Sequence, residues 1–469
     1  MTDLSLELDP LRGRRSGLEH ALRLAISAGR LAPGAPLPPS RTLAADLGMA
    51  RGTVVNAYEQ LIAEGYLIGR PGVGTTVAHR VEPLNGSAHG NVALRHHLLN
   101  ISLVPGESDR SSFPRAAWMA SFRHVLDTAP DELFGYGRST GLPGLCTALA
   151  DHLARARSVR VRADDIHVFG GYSDALHHLL HALTVHGVTR MAVEDPCIPS
   201  QRATLEHAGI EICPIPVDAE GLDVDRLRAS GVHAVIVTPG HQYPTGVVMG
   251  PERRRQLIDW ATSTGGWVIE DDYDGEFRYD PNPPPALQGM GPDRVIYAGT
   301  VSKTLAAGLR IGWLAVPEEL GASMRTLRDR CSVSSVEQAT FASMLSTGRL
   351  DRHVRQMRQR YRKRRLLLER TISTIPTLRL IGAAAGLHLT VVLAPGGPDE
   401  AAVVRAGLDA SLTLWSLSHH FAPQASAHLG RGSTEGIVLG FSRSSDAAFM
   451  RALRDLPHVM AAAVTRSAP

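Results

Sequence analysis

Residues 299–313 read GTVSKTLAAGLRIGW, and Lys303 among them is one of only two lysines in a chain of 469 residues with 49 lysines and arginines in all. The other, Lys363, sits in RQRYRKRRLLLER (358–370), one cation among many. Lys303 instead follows the apolar run VIYAG, which has the character of a buried strand, and precedes a glycine-containing loop with a single arginine, Arg310. Where charge alone is needed, this chain uses arginine. Arginine replaces lysine as a cation but not as a nucleophile, because a guanidinium stays protonated and forms no Schiff base. Lys303 is therefore a candidate for covalent amine chemistry. On this observation alone, a chance surface lysine explains it equally well.

The segments around it share a pattern. From residue 113 onward, short apolar runs (IHVF, RMAVED, HAVIVTPG, GWVIEDDY, RVIYAGT, IGWLAVP) alternate with helix-length stretches. Such runs predict an α/β fold with a mostly parallel sheet covered on both faces. Ligand sites in these sheets form beyond the carboxyl ends of the strands. Three such ends carry chemistry. WVIEDDYDGEFRY supplies Asp271 and Tyr273, and GTVSKTLAAGLR supplies Thr300, Ser302, Lys303 and Arg310. VFGGYSDAL places Gly170 and Gly171 just before a helix start, a natural phosphate cradle.

An aldehyde trap, an acid for a ring nitrogen and an anion site are what pyridoxal 5′-phosphate (PLP) requires. Asp271 is expected to keep the pyridine nitrogen protonated, and Tyr273 to donate to the ring's phenolic oxygen. Arg310, Ser302, Thr300 and the amides near Gly171, Tyr172 and Ser173 are expected to balance the phosphate. Neither the Ser-Lys pair nor the Gly-Gly turn is specific by itself. The ordered set is.

Residues 1–79 form a separate block. SGLEHALRLAISAG (16–29) has apolar residues at helical spacing and stops at Gly29. After a proline-rich loop, SRTLAADLG predicts a helix with Ser40 as its N-cap and Gly48 as its terminator. RGTVVNAYEQLIAEG (51–65) predicts the next helix, and YLIGRPGVGTTVA a short hairpin. Three helices and a hairpin describe a winged helix-turn-helix (α+β). Arg51, Thr53 and Asn56 lie near the start of its recognition helix, flanked by Arg41 and Arg70, with Gly72 and Gly74 at the wing tip. These point to double-stranded DNA, the alternative being a winged helix that contacts protein. Residues 80–112 read as a linker, 113–330 as a large PLP-binding domain and 331–469 as a smaller C-terminal subdomain.

Hydrophobic residues make up 43% of the chain and charged residues 20%, so a sizeable core is available. A net charge of +3 permits nucleic-acid binding without arguing for it. Four scattered cysteines show no metal-ligand spacing, and no signal core or membrane-spanning run occurs, so a cytoplasmic protein is expected. DRHVRQMRQRYRKRRLLLER (351–370) is read as a solvated basic face, with an auxiliary phosphate contact as the alternative. The histidine pairs, among them His419-His420, are expected to be surface or packing residues.

LPPSRTLAADLGMARGTVVNAYEQLIAEGYLIGRPGVGTTV (37–77) resembles the winged helix of GntR regulators. IEDDYDGEFRY, TPGHQYPTG and GTVSKTLAAGLRIGW resemble fold-type I aminotransferases, and the combination resembles the MocR branch of GntR regulators. The resemblance implies a dimeric, PLP-binding transcription regulator with the cofactor held as an internal aldimine on Lys303. It implies that Tyr136, in GYGRSTGLPGL, reaches the phosphate of the partner subunit, and that Tyr243 stands where the enzymes carry the asparagine of NPTG.

The sequence departs from that pattern on the substrate side. EDPCIP has Ile198 in place of a tyrosine near the cofactor, and Ser200 in place of a carboxylate-binding arginine of GABA-responsive members. The arginine that grips substrate carboxylate in many relatives aligns with Val438 in GIVLGFS, with Arg431 and Arg443 nearby. The expected effector is therefore PLP itself or an amine lacking that carboxylate, with transaminase activity residual at most. A working aminotransferase with a DNA-binding appendage is the alternative, and turnover with an amino donor and 2-oxoglutarate separates the two.

Overall fold

The computed structural model describes residues 13–27, 29–70, 74–78, 101–280, 283–327, 331–383, 385–423 and 435–467. The chain divides into two compact units, Met1–Arg95 and His96–Pro469.

In the first unit, α1 (Arg14–Ser27), α2 (Ser40–Asp46) and α3 (Arg51–Ala63) precede β1 (Leu67–Arg70), which pairs antiparallel with β2 (Gly74–Val77). Leu18 and Leu22 of α1 meet Leu43, Val54, Leu61 and Val77 in one core, as the helical spacing requires. Arg23 holds Glu64 through two bonds of 2.8 Å, tying α1 to the end of α3. Ser40 is not the expected N-cap. It is the first helical residue, Pro39 holds the cap position, and no side chain bonds the free amides there. Gly72 lies outside the described residues.

The second unit opens with β3 (Ile101–Ser102). β4 (Ile166–Phe169), β5 (Arg190–Asp195), β6 (Glu211–Asp218), β7 (Gly221–Leu222), β8 (Ala234–Val237), β9 (Trp267–Asp271), β10 (Val295–Thr300) and β11 (Gly312–Ala315) form one sheet, ordered β4-β11-β10-β9-β8-β5-β6-β7. β10, β9, β8, β5 and β6 run parallel, and β11 is antiparallel to both its neighbours. The continuous apolar runs follow from burial on both faces: every residue of β8 and β9 is buried. The sequence pattern does not reveal β6, whose Pro214 and Pro216 read against a strand. They are tolerated because the strand lies beside the sheet edge, where β7 pairs only with Val217 and Asp218.

A second, antiparallel sheet contains β12 (Leu378–Ile381), β13 (His388–Leu393), β15 (Trp415–Ser416) and β16 (Gly436–Gly440), ordered β12-β13-β16-β15, while β14 (Leu412–Thr413) pairs with β3. Two expected boundaries shift accordingly. Residues 101–112, read as linker, are packed: Leu103 is buried in the core of this smaller part, and Asp109 is buried against the Tyr361 hydroxyl. Helix Ser335–Ser346, assigned to the small subdomain, instead packs Phe341, Met344 and Leu345 against Val168 and Trp313 of the large sheet.

Helix Arg349–Ser373 keeps only part of the expected solvated basic face: Arg352, Arg355, Arg358, Arg362, Lys363 and Arg370 are exposed, but Arg364 and Arg365 are buried. Arg364 donates to Asp446 at 2.7 Å and to Asp109 at 3.1 Å, and Arg360 reaches the same two carboxylates at 2.9 and 3.0 Å. Four charges from three segments thus neutralise one another, the condition under which buried arginine is tolerated. Among the described residues no helix is long and apolar enough to cross a membrane.

Candidate functional site

A cavity of about 470 Å³ opens at the carboxyl ends of β9 and β10. Of the residues singled out in the sequence, Tyr172, Ser173, Tyr243, Asp271, Tyr273, Thr300, Ser302, Lys303 and Arg310 all line it. Parallel β9 and β10 place Asp271 beside Ala298, one turn of chain before Lys303. Lys303 lies in a single π-helical turn, Ser302–Ala306, a local distortion that often marks functional positions. Its ammonium donates to the Gly106 carbonyl, so the segment before Asp109 lies over the lysine.

Burial lowers the Lys303 pKa, opposed by Asp271, Asp274 and Glu107. Burial pushes Asp271 up to about 7, opposed by a hydrogen bond from Tyr172 and by Lys303. Tyr172 is held by Gln201, whose amide donates to the phenol oxygen at 2.9 Å. Behind this wall Glu194 accepts from the Thr238 amide at 3.1 Å and from Gln242 at 3.2 Å, while its Oε1 has no hydrogen-bond partner among the described residues. Burial pushes Glu194 up to about 7 as well.

The anion end is built around Arg310, which adopts a left-handed backbone at φ +51. Its guanidinium lies against Gly171, where a Cβ would stand 3.2 Å from Arg310 Cζ. A Cβ on Gly312 would stand 2.8 Å from the Gly171 carbonyl carbon. Two glycines therefore let a guanidinium press onto the start of helix Tyr172–Val185, whose first amides lack intrahelical partners. Thr300 Oγ1 and Ser302 Oγ are 2.9 Å apart beside it. An amine, a buried carboxylate and this donor set fit PLP.

The lining also includes Ile198, Ser200, Gln201, Leu387, His388, Trp415 and Arg443. Val438 does not line the cavity; it is fully buried among Val392, Leu417, Ile381 and Phe421. Of the other two arginines weighed for that role, Arg443 lines the cavity, with its Nε 3.7 Å from Glu107, and Arg431 lies outside the described residues. Tyr136 is 87% exposed and is not among the cavity residues of its own chain.

The family of bacterial regulatory proteins, gntR family, matches residues 14–77, and aminotransferase class I and II matches residues 99–417. The pyridoxine biosynthesis transcriptional regulator PdxR of Corynebacterium glutamicum is 34% identical over 449 residues, 94% of this chain and 95% of that one. The chain belongs to the MocR-type GntR regulators. The probable rhizopine catabolism regulatory protein MocR of Rhizobium meliloti is 33% identical over 369 residues, 74% of each chain. In fold, this MocR-type chain matches an archaeal alanine:glyoxylate aminotransferase with a TM-score of 0.70 at 24% identity, covering 80% of this chain and 96% of that one. The protein is thus a DNA-binding transcription regulator whose second unit has the aminotransferase fold.

In the DNA-binding unit of this MocR-type regulator, Arg41, Arg51, Asn56, Arg70 and Gly74 are exposed and Thr53 is half-buried at the start of α3. The opposite face of α3, with Val54, Ala57, Tyr58 and Leu61, is buried. Arg51, Thr53 and Asn56 therefore lie off the buried face of α3.

Some residues in and behind the cavity wall are not singled out by the sequence: His388 lines the cavity, while Glu194, His241 and Gln242 lie behind its lining residues and reach it only through distant partners. His420, expected as a surface or packing residue, is a packing residue: it is fully buried, with its Nε2 3.2 Å from the Tyr243 hydroxyl and its pKa lowered to about 4 by burial.

Proposed function

We propose that this regulator holds PLP covalently through Lys303 and that the cofactor state of the second unit controls operator binding by a homodimer. The observation that carries this reading is the shared cavity of Lys303 and Asp271, in which burial disfavours the charge of both. When bound, PLP supplies an aldehyde that captures primary amines and a ring that draws electrons. Lys303 offers the amine, which burial makes easier to deprotonate and so more nucleophilic. Asp271 holds a proton on the ring nitrogen, and Tyr273 donates to the phenolic oxygen. Arg310, Thr300, Ser302 and the amides of Gly171, Tyr172 and Ser173 hold the phosphate, joined by Tyr136 from a second copy. Tyr243 closes the wall beside Tyr273, their rings edge-on at 6.0 Å.

The effector is PLP itself or an amine without a carboxylate to be clamped. Supporting this, Ser200 and Val438 offer no guanidinium, and Arg443, which joins Arg310 among the described cavity residues, faces Glu107. The name of the Corynebacterium regulator, which ties it to pyridoxine biosynthesis, favours PLP. Arg41, Arg51, Thr53, Asn56, Arg70 and the wing glycines Gly72 and Gly74 contact the operator. Two such heads in one dimer raise the effective concentration on paired half-sites, so rearranging them changes affinity without altering base contacts.

The test is operator affinity and footprint with and without saturating PLP, alongside the visible spectrum with candidate amines. A PLP-dependent footprint supports PLP as signal, and a band shifted by one amine supports that amine. An unchanged footprint and a band blind to every amine overturn both.

A further inference from the structure

Beneath the cavity floor, Tyr273 rests on a histidine–carboxylate pair that nothing so far has used. His241 Nδ1 lies 3.0 Å from Asp274 Oδ2 and 3.1 Å from the Tyr273 hydroxyl. The side chains of His241 and Asp274 are only 2% and 3% exposed. The tyrosine hydroxyl also donates to the His241 carbonyl at 3.1 Å. Gly386 seals the pair: it adopts φ +68, and a Cβ there would collide with both His241 Nδ1 and Asp274 Oδ2. The His388 ring lies tilted at 46° against His241 with centroids 4.8 Å apart, and its own Nε2 faces the Pro244 carbonyl at 3.1 Å.

An ionised carboxylate only accepts, so Asp274 fixes the proton of His241 on Nδ1. That N–H is then within reach of the Tyr273 oxygen, which accepts; the single tyrosine proton, donated here to the His241 carbonyl, would turn to the phenolic oxygen of bound PLP. A hydroxyl that accepts one hydrogen bond donates a stronger one, because the chain of bonds polarises. We propose that His241 and Asp274 are positioning residues for Tyr273, setting how strongly its hydroxyl donates to the phenolic oxygen of PLP. The inference rests on the reading that PLP is held on Lys303 with its ring nitrogen at Asp271. Besides this pair, the ionisable groups facing the tyrosine are Asp271 and Lys303 from the cavity, Tyr243 edge-on and His388 behind His241.

Donation to the phenolic oxygen stabilises its anion and competes with the bond from the protonated Lys303 nitrogen, so it lowers the pH at which that nitrogen loses its proton. The measurement is the midpoint of the pH-dependent visible band of the PLP-loaded full-length protein. In Asp274→Asn, which preserves packing, the imidazole is free to move its proton to Nε2. Nδ1 then accepts from Tyr273 and draws the hydroxyl away from the cofactor. The midpoint is expected to rise by about half to one pH unit, the size of one modest hydrogen bond. His241→Phe should raise it similarly and His241→Gln, which keeps a donor, should restore part of the difference.

A midpoint unmoved in Asp274→Asn and His241→Phe but raised in Tyr273→Phe overturns the positioning role and leaves the proposed function standing. A midpoint unmoved in all three overturns it too, and removes Tyr273 from the phenolic oxygen. Absence of any band in the unmodified protein overturns this inference and the proposed function together. Should His241→Phe fail to fold, the near-isosteric Asp274→Asn decides alone.

Discussion

One wall of the cavity, with Asp271, Thr300, Ser302, Lys303 and Arg310, is built from strand ends and the turn after β10; the other, with Ile198, Ser200, Trp415 and Arg443, is built from a helix start and the second sheet. The first wall has every group PLP requires. The second has no arginine at either position where a carboxylate clamp is expected, and in one of them an aliphatic side chain has become core. On the proposed reading, the residues that hold the cofactor and those that select the ligand come from different elements, so one set is able to change while the other is kept.

The largest expected effect breaks the first wall. Lys303→Ala should abolish the visible band of the PLP-loaded protein outright, and Lys303→Arg should not restore it, since charge is not what the position supplies. A band surviving in Lys303→Arg, seen by absorbance, would remove the covalent role. Val438→Arg tests whether the second wall is merely missing a residue. The side chain is fully buried in an apolar cluster, so the arginine should cost about 3–5 kcal/mol as an unpaired buried charge, read as a lowered thermal midpoint. A stable variant that gains a carboxylate response would show that the clamp site is still formed.

Asp271→Asn should weaken PLP affinity by about ten- to a hundredfold, the range of a hydrogen bond between charged groups, as measured by fluorescence titration. The pH dependence of loading is a smaller effect. In the empty chain, burial holds the Asp271 pKa at about 7, above its ordinary value, so the folded chain keeps a proton that the unfolded chain has already released. Stability from this group is therefore lost as pH rises from about 4 towards 7, because there the unfolded state binds fewer protons. A ring nitrogen that carries the proton favours the ionised carboxylate, so PLP should raise the thermal midpoint more at pH 8 than at pH 5.5. Equal increments would show that Asp271 does not face the ring. The smallest effect sharpens the second wall. Ser200 is exposed and lines the cavity, so Ser200→Arg should leave stability within about 0.5 kcal/mol while making the band sensitive to amines that bear a carboxylate.

Much of this was legible along the chain. The winged helix, the strands of the large sheet except β6 and the two-residue β7, and Lys303 with Asp271, Thr300, Ser302 and Arg310 follow from local patterns: helical spacing, apolar runs, and chemistry at strand ends. β6 was hidden because its prolines obey a strand rule that relaxes beside a sheet edge. The basic helix misled because cation density along a sequence says nothing of Asp109 and Asp446, which lie far away in the chain and take up Arg360 and Arg364.

The sequence by itself determined which elements form and which residue carries the amine, because periodicity and a nearly unique lysine are properties of neighbours in the chain. Only the tertiary structure decided that Arg443 rather than Val438 meets the cavity, that Gly106 takes the Lys303 ammonium, and that His241, Asp274 and Gly386 meet beneath Tyr273. Each of those outcomes depends on which side chains reach one buried volume from distant segments. Close packing and the need to satisfy buried polar groups settle that choice, and neither leaves a local mark in the sequence.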